Sequence, residues 1–160
     1  MTIDKTRRSC IKSILSMAVG IPVVVTLPQT AFAGIAKVYT RKSDNKALNG
    51  YDSVAYFKQS KPVEGLEKFQ TQYNGADWYF SSQENRDEFI ASPESFAPQY
   101  GGYCAFSVAQ GKVIKGDPEL WAIEANKLYL NYNKGAHRLW LKRVEKMISK
   151  GDKNWPRLLG

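Results

Sequence analysis

Residues 69–80 show the clearest alternation of large and polar side chains in the chain, interrupted by the pair Asn74-Gly75. A period of two places every second side chain on one face of a strand, and an Asn-Gly pair tolerates the positive φ angles of a tight hairpin turn. The pattern therefore predicts a β-hairpin centred on this pair. We expect Trp78 to point inward from the second strand and to be largely buried.

The segment after the hairpin has the features of a helix start. Ser81 is followed three residues later by Glu84, which is the spacing of a capping box. A helix should therefore begin near Ser82, with Ser81 as its cap. The dipeptide Ser92-Pro93 ends this helix and opens a second short turn, because proline fits the first position of a helix.

The other elements are predicted from shorter patterns. Residues 50–57 form a strand or a short helical turn, a choice that periodicity leaves open, and residues 103–108 are predicted to be a strand. Turn residues predict a hairpin turn at 109–112 and a helical turn at 117–119. Strand formers predict a second hairpin from residues 121–123 and 127–131, and the polar residues 131–134 are predicted to form a loop. Residues 135–150 have apolar side chains at helical spacing and form the longest helix, with Gly151 as its C-terminal cap.

These elements place the chain in the α+β class. We predict a small, mostly antiparallel sheet built from hairpins, packed with a central short helix and a longer C-terminal helix. Residues 50–160 form this domain, and the polar residues 34–49 form an N-terminal arm. No internal repeat or low-complexity segment is evident.

Residues 1–33 have the composition of an export signal. Basic residues precede a mostly apolar run at residues 14–27, and Ala31-Phe32-Ala33 supplies small residues at the cleavage positions. We predict cleavage before Gly34 and a periplasmic or otherwise exported protein. The surroundings of Arg7-Arg8 resemble a twin-arginine signal, so that route and the general export route are both open.

The same residues allow one alternative, an uncleaved membrane anchor. Gly20, Pro22 and Pro28 interrupt the apolar run, which is already shorter than the roughly 20 residues that a spanning helix needs. We therefore expect no lasting association with the membrane after the signal is cleaved.

Charge and cysteine content exclude two further features. The formal net charge is +8, but the basic residues are interspersed with acidic ones and form no dense basic arm. An exported protein would also not meet DNA, so nucleic acid is excluded as a partner. After cleavage Cys104 is the only cysteine left, so no intramolecular disulfide can form and the fold depends on its core.

Four segments carry a family resemblance: GYDSVAYF at residues 50–57, NGADWYFSSQENRDEF at 74–89, SPESFAPQYGGYC at 92–104 and LYLNYN at 128–133. Together they resemble the exported bacterial branch of the YHS domain family, over residues 47–159. The resemblance implies a small α+β module that is associated with metal, often copper.

The chain departs from the metal-type pattern of that family at its cysteines. The pattern reads approximately Asp-Pro-Val-Cys-Gly near the start and Tyr-Phe-Cys-Ser-x-x-Cys at the junction of hairpin and helix. Ala55, Ser81 and Asn85 stand where those cysteines would be. The thiolate site that the resemblance implies is missing, so we expect no closed zinc site with four soft or borderline ligands.

The remaining candidate metal ligands are a thiol, an imidazole, a thioether and two carboxylates: Cys104, His137, Met147, Asp52 and Asp117. A thiolate joined by one of the others could hold Cu(I) in an exchangeable site of low coordination number. Three of these residues also have a structural interpretation. Cys104 would be a buried small hydrophobe, Asp52 a cap for local N–H groups, and His137 an ordinary surface histidine.

These observations favour a binding or accessory module of the cell envelope, and three functions remain open. The first is metal handling, with copper as the cofactor, and the second is a metal-free module that binds an envelope protein. The third is a thiol or peroxide enzyme built on Cys104. No nucleophile elbow, phosphate-binding glycine loop or dinucleotide fingerprint is present, which disfavours an enzyme. The numerous aromatic side chains could line a small-ligand pocket if the fold brings several together.

Overall fold

The structure, a computed structural model, describes residues 34–160, so the predicted export signal lies outside the described residues. Within this range the elements are, in chain order, α1 Ala55–Gln59, β1 Leu66–Tyr73, β2 Ala76–Phe80, α2 Gln83–Ala91, α3 Pro93–Phe96, α4 Ala105–Ala109, β3 Asp117–Glu124, β4 Lys127–Asn131, α5 Lys134–Leu141 and α6 Val144–Leu159. Short 3-10 helices at Leu48–Gly50 and Gln99–Gly102 precede α1 and α4. None of the helices in the described range combines the length and the apolar character needed to cross a membrane.

The α+β class is confirmed, and the strands are divided between two sheets. β1 pairs with β2, and β3 pairs with β4, each as an antiparallel hairpin. The hairpins meet through side chains, since Leu128 and Leu130 of β4 pack in the same core as Trp78 and Phe80 of β2. The predicted single sheet is therefore replaced by two hairpins with a shared core.

The first hairpin is confirmed at the predicted position. Asn74 and Gly75 both have positive φ angles, of 50° and 79°, as the turn of an Asn-Gly pair requires. Trp78 is 1% exposed and packs in the core with Phe89. Its indole Nε1 donates to the carbonyl of Tyr73 at 3.0 Å, so this buried polar atom has a partner.

Helix α2 is capped by Ser82, and the prediction that Ser81 caps it is wrong. The hydroxyl oxygen of Ser82 accepts from the backbone N–H of Asn85 at 3.1 Å. The carboxylate of Glu84 does not complete a capping box but contacts the ammonium group of Lys58 at 2.8 Å. Ser81 lies one residue before the N-cap, and its hydroxyl and its backbone N–H both donate to the buried carboxylate of Asp52.

The Ser82→Ala substitution should lower the free energy of unfolding by about 1 kcal/mol, because it removes the oxygen that satisfies a free N–H at the helix start. Equilibrium urea denaturation measures the change. Ser95→Ala is the matched control, since the hydroxyl of Ser95 contacts only the surface hydroxyl of Ser92, at 3.4 Å, among the described residues. Equal stability of the two variants would contradict the assignment of the cap.

Residues 103–108 contribute to a short helix, and the predicted strand is wrong. The first two residues of this segment are extended, and each makes one isolated bridge to another part of the chain. From Ala105 the chain turns into α4, where Ala105 and Val108 are fully buried one helical turn apart. When a segment is buried on several sides, the spacing of its apolar residues cannot distinguish a strand from a helix. The open choice at residues 50–57 is settled in the same way, by helix α1.

Residues 117–119 begin strand β3, and the predicted helical turn is wrong. Asp117 pairs with Asn131, and the register of the hairpin then shifts between Asp117 and Trp121. This irregularity accommodates Pro118, which has no N–H to donate to a ladder. The second hairpin itself is confirmed.

The predicted C-terminal helix is divided into α5 and α6. The break lies at Arg143, whose φ and ψ angles of −147° and 44° leave the helical region. The prediction that Gly151 caps a helix is wrong, because Gly151 lies inside α6 and is buried. A Cβ atom at this position would overlap the hydroxyl of Tyr100, so glycine is needed for the close approach of that side chain.

Residues 48–91 and 99–141, which we call the first and the second repeat, are built in the same way. Each contains a 3-10 helix, a short α-helix, an antiparallel hairpin and a longer helix, in this order. The short helix of each repeat is followed by a glycine that donates its N–H back to the glycine before the helix: Gly65 to Gly50 at 2.9 Å, and Gly116 to Gly102 at 3.0 Å. The chain therefore folds the same motif twice.

The repeats also agree in detail. The register of each hairpin is interrupted after its first pair, in β1 as in β3. Helices α2 and α5 both have an N-cap side chain, Ser82 and Asn133, that accepts from the N–H three residues later. The sequence does not reveal the repeat because equivalent positions share their backbone geometry and seldom their residue type.

Strand β4 separates two hydrophobic cores. Leu128 and Leu130 belong to the core of the first repeat, whereas Tyr129 belongs to a second core that includes Trp140. Both faces of β4 are buried, because successive side chains of a strand point to opposite faces. The N-terminal arm contributes to the first core through Val38, which is 6% exposed.

Candidate functional site

Asp52 lies at the centre of a hydrogen-bonded cluster in the first repeat. Its side chain is fully buried. Oδ1 accepts from the backbone N–H groups of Val54 at 2.9 Å and of Ala55 at 3.2 Å. A carboxylate in this position satisfies free N–H groups at a helix start, so Asp52 helps α1 to begin here.

The second oxygen of Asp52 connects α1 to the junction of β2 and α2. Oδ2 accepts from the backbone N–H of Ser81 at 2.8 Å, from the Ser81 hydroxyl at 2.6 Å and from Nδ2 of Asn85 at 2.7 Å. Asn85 is buried as well, and Ser81 is half-buried. We call these three side chains the Asp52 cluster.

The Asp52 cluster lies where the sequence departs from the metal-type pattern of a known family. Residues 54–100 match the family model for the YHS domain. This segment of the chain is similar to the YHS domain. The match runs from the start of α1 through the first hairpin, α2 and α3. The YHS match therefore covers most of the first repeat and ends where the second repeat begins.

The comparison confirms the resemblance to the YHS domain family. No curated protein and no solved structure matches the chain. The assignment to the exported bacterial branch, the copper cofactor and the location in the envelope therefore stay predictions.

The residues at the cysteine positions of the family do not fit a thiolate metal site. The fold does bring these positions together, since Ala55, Ser81 and Asn85 all donate to Asp52. However, a methyl group, a hydroxyl and an amide supply no thiolate. Nδ2 of Asn85 is a donor without a lone pair for a metal, and its hydrogen points at Asp52. In this chain, hydrogen bonds to Asp52 occupy the positions of the family's cysteines.

Cys104 lies in an equivalent cluster of the second repeat. Its side chain is fully buried, and the thiol lies 3.9 Å from Oδ1 of Asn131, which is fully buried at the end of β4. The same oxygen accepts from the backbone N–H of Phe106 at 3.3 Å, as Asp52 accepts from Val54 in the first repeat. The amide oxygen of Asn131 therefore accepts in the second repeat the type of backbone N–H that the carboxylate of Asp52 accepts in the first.

His137 joins this cluster through Asn131. Nδ2 of Asn131 lies 3.3 Å from Nδ1 of His137. Since Oδ1 of Asn131 accepts from the backbone, Nδ2 donates, and Nδ1 of His137 must accept. The imidazole is therefore neutral, with its proton on Nε2. Burial lowers the pKa of His137, which favours the same neutral form.

The other predicted ligands make separate contacts. Oδ1 of Asp117 accepts from the backbone N–H of Glu119 at 3.0 Å, at the start of β3. Sδ of Met147 accepts from Nε2 of Gln110 at 3.9 Å, between α4 and α6. Both side chains therefore have a local structural role.

The predicted metal ligands do not gather at one place. Asp52 belongs to the first repeat, whereas Cys104 and His137 are linked through an amide in the second. Among residues 34–160, no three His, Cys, Asp or Glu side chains lie together as a metal ion would require. The role of each residue as a ligand stays a prediction.

Two tyrosines hold the repeats against each other. The hydroxyl of Tyr56 donates to the carbonyl of Pro118 at 3.0 Å, and burial raises the pKa of Tyr56, which keeps this donor protonated. The hydroxyl of Tyr51 donates to the Glu119 carboxylate at 3.0 Å, and this hydrogen bond raises the pKa of Tyr51. These contacts tie the helix α1 region to the start of β3.

A cleft of about 510 Å³ lies between the N-terminal arm, the first hairpin and the end of α6. Aromatic rings and two ammonium groups line it: Tyr73, Trp78, Tyr100, Trp155, Lys37 and Lys127. Both hairpins contribute, because Tyr73 ends β1 and Lys127 begins β4. The fold thus brings together aromatic residues that are distant in sequence.

Sequence reasoning missed the burial of Asn131, and it left open which aromatic side chains would meet in a cleft. Asn131 was predicted to end a strand and to begin a polar loop, and the structure buries it fully at the end of β4. One signal points to it in retrospect. Asn131 ends an apolar run and lies two residues before Asn133, the N-cap of α5. Phe80 has the same position in the first repeat, two residues before Ser82, the N-cap of α2.

Proposed function

We propose that this protein is an exported binding module of the cell envelope whose YHS domain works without a thiolate metal site. The observation that carries the proposal is the Asp52 cluster. Where the metal-type pattern has cysteines, Ser81 and Asn85 supply donors that are already engaged with Asp52. The cluster therefore supports a structural role for these positions and a binding role for other surfaces of the domain.

A metal ion at the Asp52 cluster would have to displace existing hydrogen bonds. An ionised carboxylate offers about four lone-pair positions. Asp52 already accepts from the backbone N–H groups of Val54 and Ala55 and from three donors of Ser81 and Asn85. Asn85 would have to rotate its amide to present an oxygen. Each buried donor left without a partner would cost about 1–3 kcal/mol.

A binding role is also supported over an enzymatic one by the surroundings of Cys104. The thiol is fully buried, and Asn131 bridges it to His137. The imidazole nitrogen that faces the cluster already accepts from Asn131, so it is not available to take the proton of the thiol. A reactive cysteine needs an accessible thiolate, usually with a cationic or basic neighbour.

The export part of the proposal rests on residues 1–33. Their order of basic residues, apolar run and Ala31-Phe32-Ala33 is typical of a cleaved signal. This pattern supports a periplasmic or otherwise exported location.

Protein purified from the cell envelope should start at Gly34 and should carry well below one metal ion per chain, because the donors at the cysteine positions are engaged. Intact-mass spectrometry checks the cleavage, and plasma mass spectrometry counts copper and zinc in the same sample. A chain that retains residues 1–33 would contradict the export proposal. One copper or zinc ion per chain would contradict the metal-free role. Replacing Arg7-Arg8 with Lys-Lys stops export only by the twin-arginine route.

Copper handling at Cys104 is the second candidate function. It is favoured by one observation, the link from the Cys104 thiol through Asn131 to His137. A thiolate and an imidazole both suit copper. The ion would have to reach a buried thiol, and the Asn131 amide would have to release the ring nitrogen.

Titration of the apo protein with Cu(I) against a competing chelator separates the two candidates. Copper handling predicts that Cys104→Ser weakens binding by about tenfold or more. The metal-free role predicts equally weak binding by wild type and Cys104→Ser, with a lower melting temperature for the variant because the thiol packs in the core. Asp87→Asn removes an exposed carboxylate of α2 that is not a candidate ligand, so it is the control and should bind copper as wild type does.

A further inference from the structure

We infer that the cleft between the N-terminal arm, the first hairpin and α6 binds a small aromatic monocarboxylate. This inference rests on the proposed binding function and gives it a site and a ligand class. Four observations support it: the volume of the cleft, its aromatic walls, two lysines that form no ion pair within residues 34–160, and a backbone that hydrogen bonds already fix.

The cleft has the size and composition of a small-molecule site. Its volume of about 510 Å³ lies within the roughly 300–1,000 Å³ that such sites occupy. A second depression of about 500 Å³ is lined by Glu124 and residues 142–146, which include no aromatic side chain. Aromatic content therefore distinguishes the cleft from a depression of equal volume.

Aromatic rings from two parts of the fold favour a planar ligand. Tyr73 packs against Trp78 with ring centroids 6.2 Å apart, and Trp155 of α6 packs against Tyr100 at 5.8 Å. Tyr73 and Trp155 are half-buried, so part of each ring is open to the cleft. A planar ring can contact these surfaces in stacked or edge-to-face arrangements.

The charges of the cleft favour a single negative group. The ion pairs formed among the described residues do not involve Lys37 or Lys127, so both ammonium groups are available to an anion. Glu94 also lines the cleft. Two lysines and one glutamate attract one carboxylate, while Glu94 opposes a second negative charge.

The backbone beside Lys37 is held in place before any ligand binds. Gly101 has a φ angle of 60°, and its carbonyl accepts from the N–H of Tyr39 at 2.8 Å. A Cβ atom at Gly101 would overlap the carbonyl of Lys37, so glycine lets the arm lie against the cleft. A preformed site loses less conformational freedom on binding.

Calorimetric titration with 2-naphthoate tests the inference. The neutral 2-naphthamide has nearly the same shape and is the control ligand. We expect saturable one-to-one binding of 2-naphthoate to the mature protein and binding of 2-naphthamide that is about fivefold weaker or more. Wild-type protein that does not bind 2-naphthoate, or binds both ligands equally, overturns the inference.

Reversing the charge of the two cleft lysines tests whether 2-naphthoate binds in the cleft. The double variant Lys37→Glu/Lys127→Glu should weaken 2-naphthoate binding by about tenfold or more and leave 2-naphthamide binding unchanged. Lys112→Glu/Lys134→Glu makes the same change of charge at exposed lysines outside the cleft and should change neither. Equal effects of the two double variants overturn the inference. Thermal melting of both variants shows that they remain folded.

The metal measurement and the ligand titration test the two proposals separately. A protein that retains stoichiometric metal and binds 2-naphthoate would overturn the metal-free role but leave the cleft assignment intact. A metal-free protein that does not bind 2-naphthoate would overturn the cleft assignment alone.

Discussion

Replacing Trp78 with alanine should lower the free energy of unfolding by about 3 to 5 kcal/mol. The side chain is 1% exposed, and its ring centroid lies 4.8 Å from that of Phe89 and 6.2 Å from that of Tyr73. Its removal would leave a cavity in the first core and would free the Tyr73 carbonyl from its indole donor. Domains are stable by only about 5–15 kcal/mol, so the variant should be close to unfolding.

Equilibrium urea denaturation measures this loss, and Tyr79→Ala is the matched control. Tyr79 follows Trp78 on β2, points to the opposite face and is half-buried, with the ammonium group of Lys46 4.6 Å from its ring centroid. Because part of this ring already contacts water, the control should lose less than half as much stability. Similar losses for the two variants would contradict the placement of Trp78 in the core. Trp78→Phe gives a measurable value if the alanine variant does not fold.

Replacing Asp52 with alanine should lower the free energy of unfolding by at least about 3 kcal/mol, because several buried donors lose their acceptor and each costs about 1–3 kcal/mol. The donors belong to Ser81, Asn85 and the start of α1. Asp52→Asn has nearly the same shape and should also be destabilising, since its amide would direct N–H groups at other donors. Thermal and urea denaturation measure both losses.

The exchange Asp52→Asn/Asn85→Asp tests whether the hydrogen bond between these two side chains carries the effect. The carboxylate would then lie at position 85 and accept from the amide at position 52, so part of the lost stability should return. A double-mutant cycle measures this coupling. Asp117→Asn is the control, because Asp117 is half-buried and accepts one backbone N–H. Absence of coupling, or equal losses for Asp52→Asn and the control, would contradict the proposed role of the cluster.

The parts of the fold that the sequence predicted correctly depend on short-range hydrogen bonds. Asn74 and Gly75 form the predicted hairpin turn, and Pro93 begins α3 as predicted. Such turns and starts are decided by a few adjacent residues, whose φ preferences and side-chain acceptors are visible in the sequence. The prediction that Ser81 caps α2 was wrong because a long-range contact decides the position of this side chain, whose hydroxyl donates to Asp52, 29 residues away.

The helix and strand errors come from segments buried on more than one side. At residues 103–108 the apolar run has no polar face, so its period could not indicate a helix. Gly151 was predicted to be a cap, since glycine commonly follows a helix. In the fold it lies inside α6, because the ring of Tyr100 needs the space that a side chain would fill.

The sequence identified the residues of the candidate site but not their arrangement in space. The residues at the cysteine positions of the family could be named as Ala55, Ser81 and Asn85. Their convergence on Asp52 could not be predicted, because Ser81 and Asn85 lie 29 and 33 residues from that carboxylate.

By itself, the sequence determined the α+β class, the YHS resemblance and the loss of the family's cysteines, because each is a property of residue types and their local order. The tertiary structure alone decided that two dissimilar segments fold as one repeated motif, that Asp52 and Asn131 hold equivalent clusters, and that aromatic rings meet lysines in one cleft. Each of these features joins side chains from distant parts of the chain, and packing around two buried cores determines which of them meet.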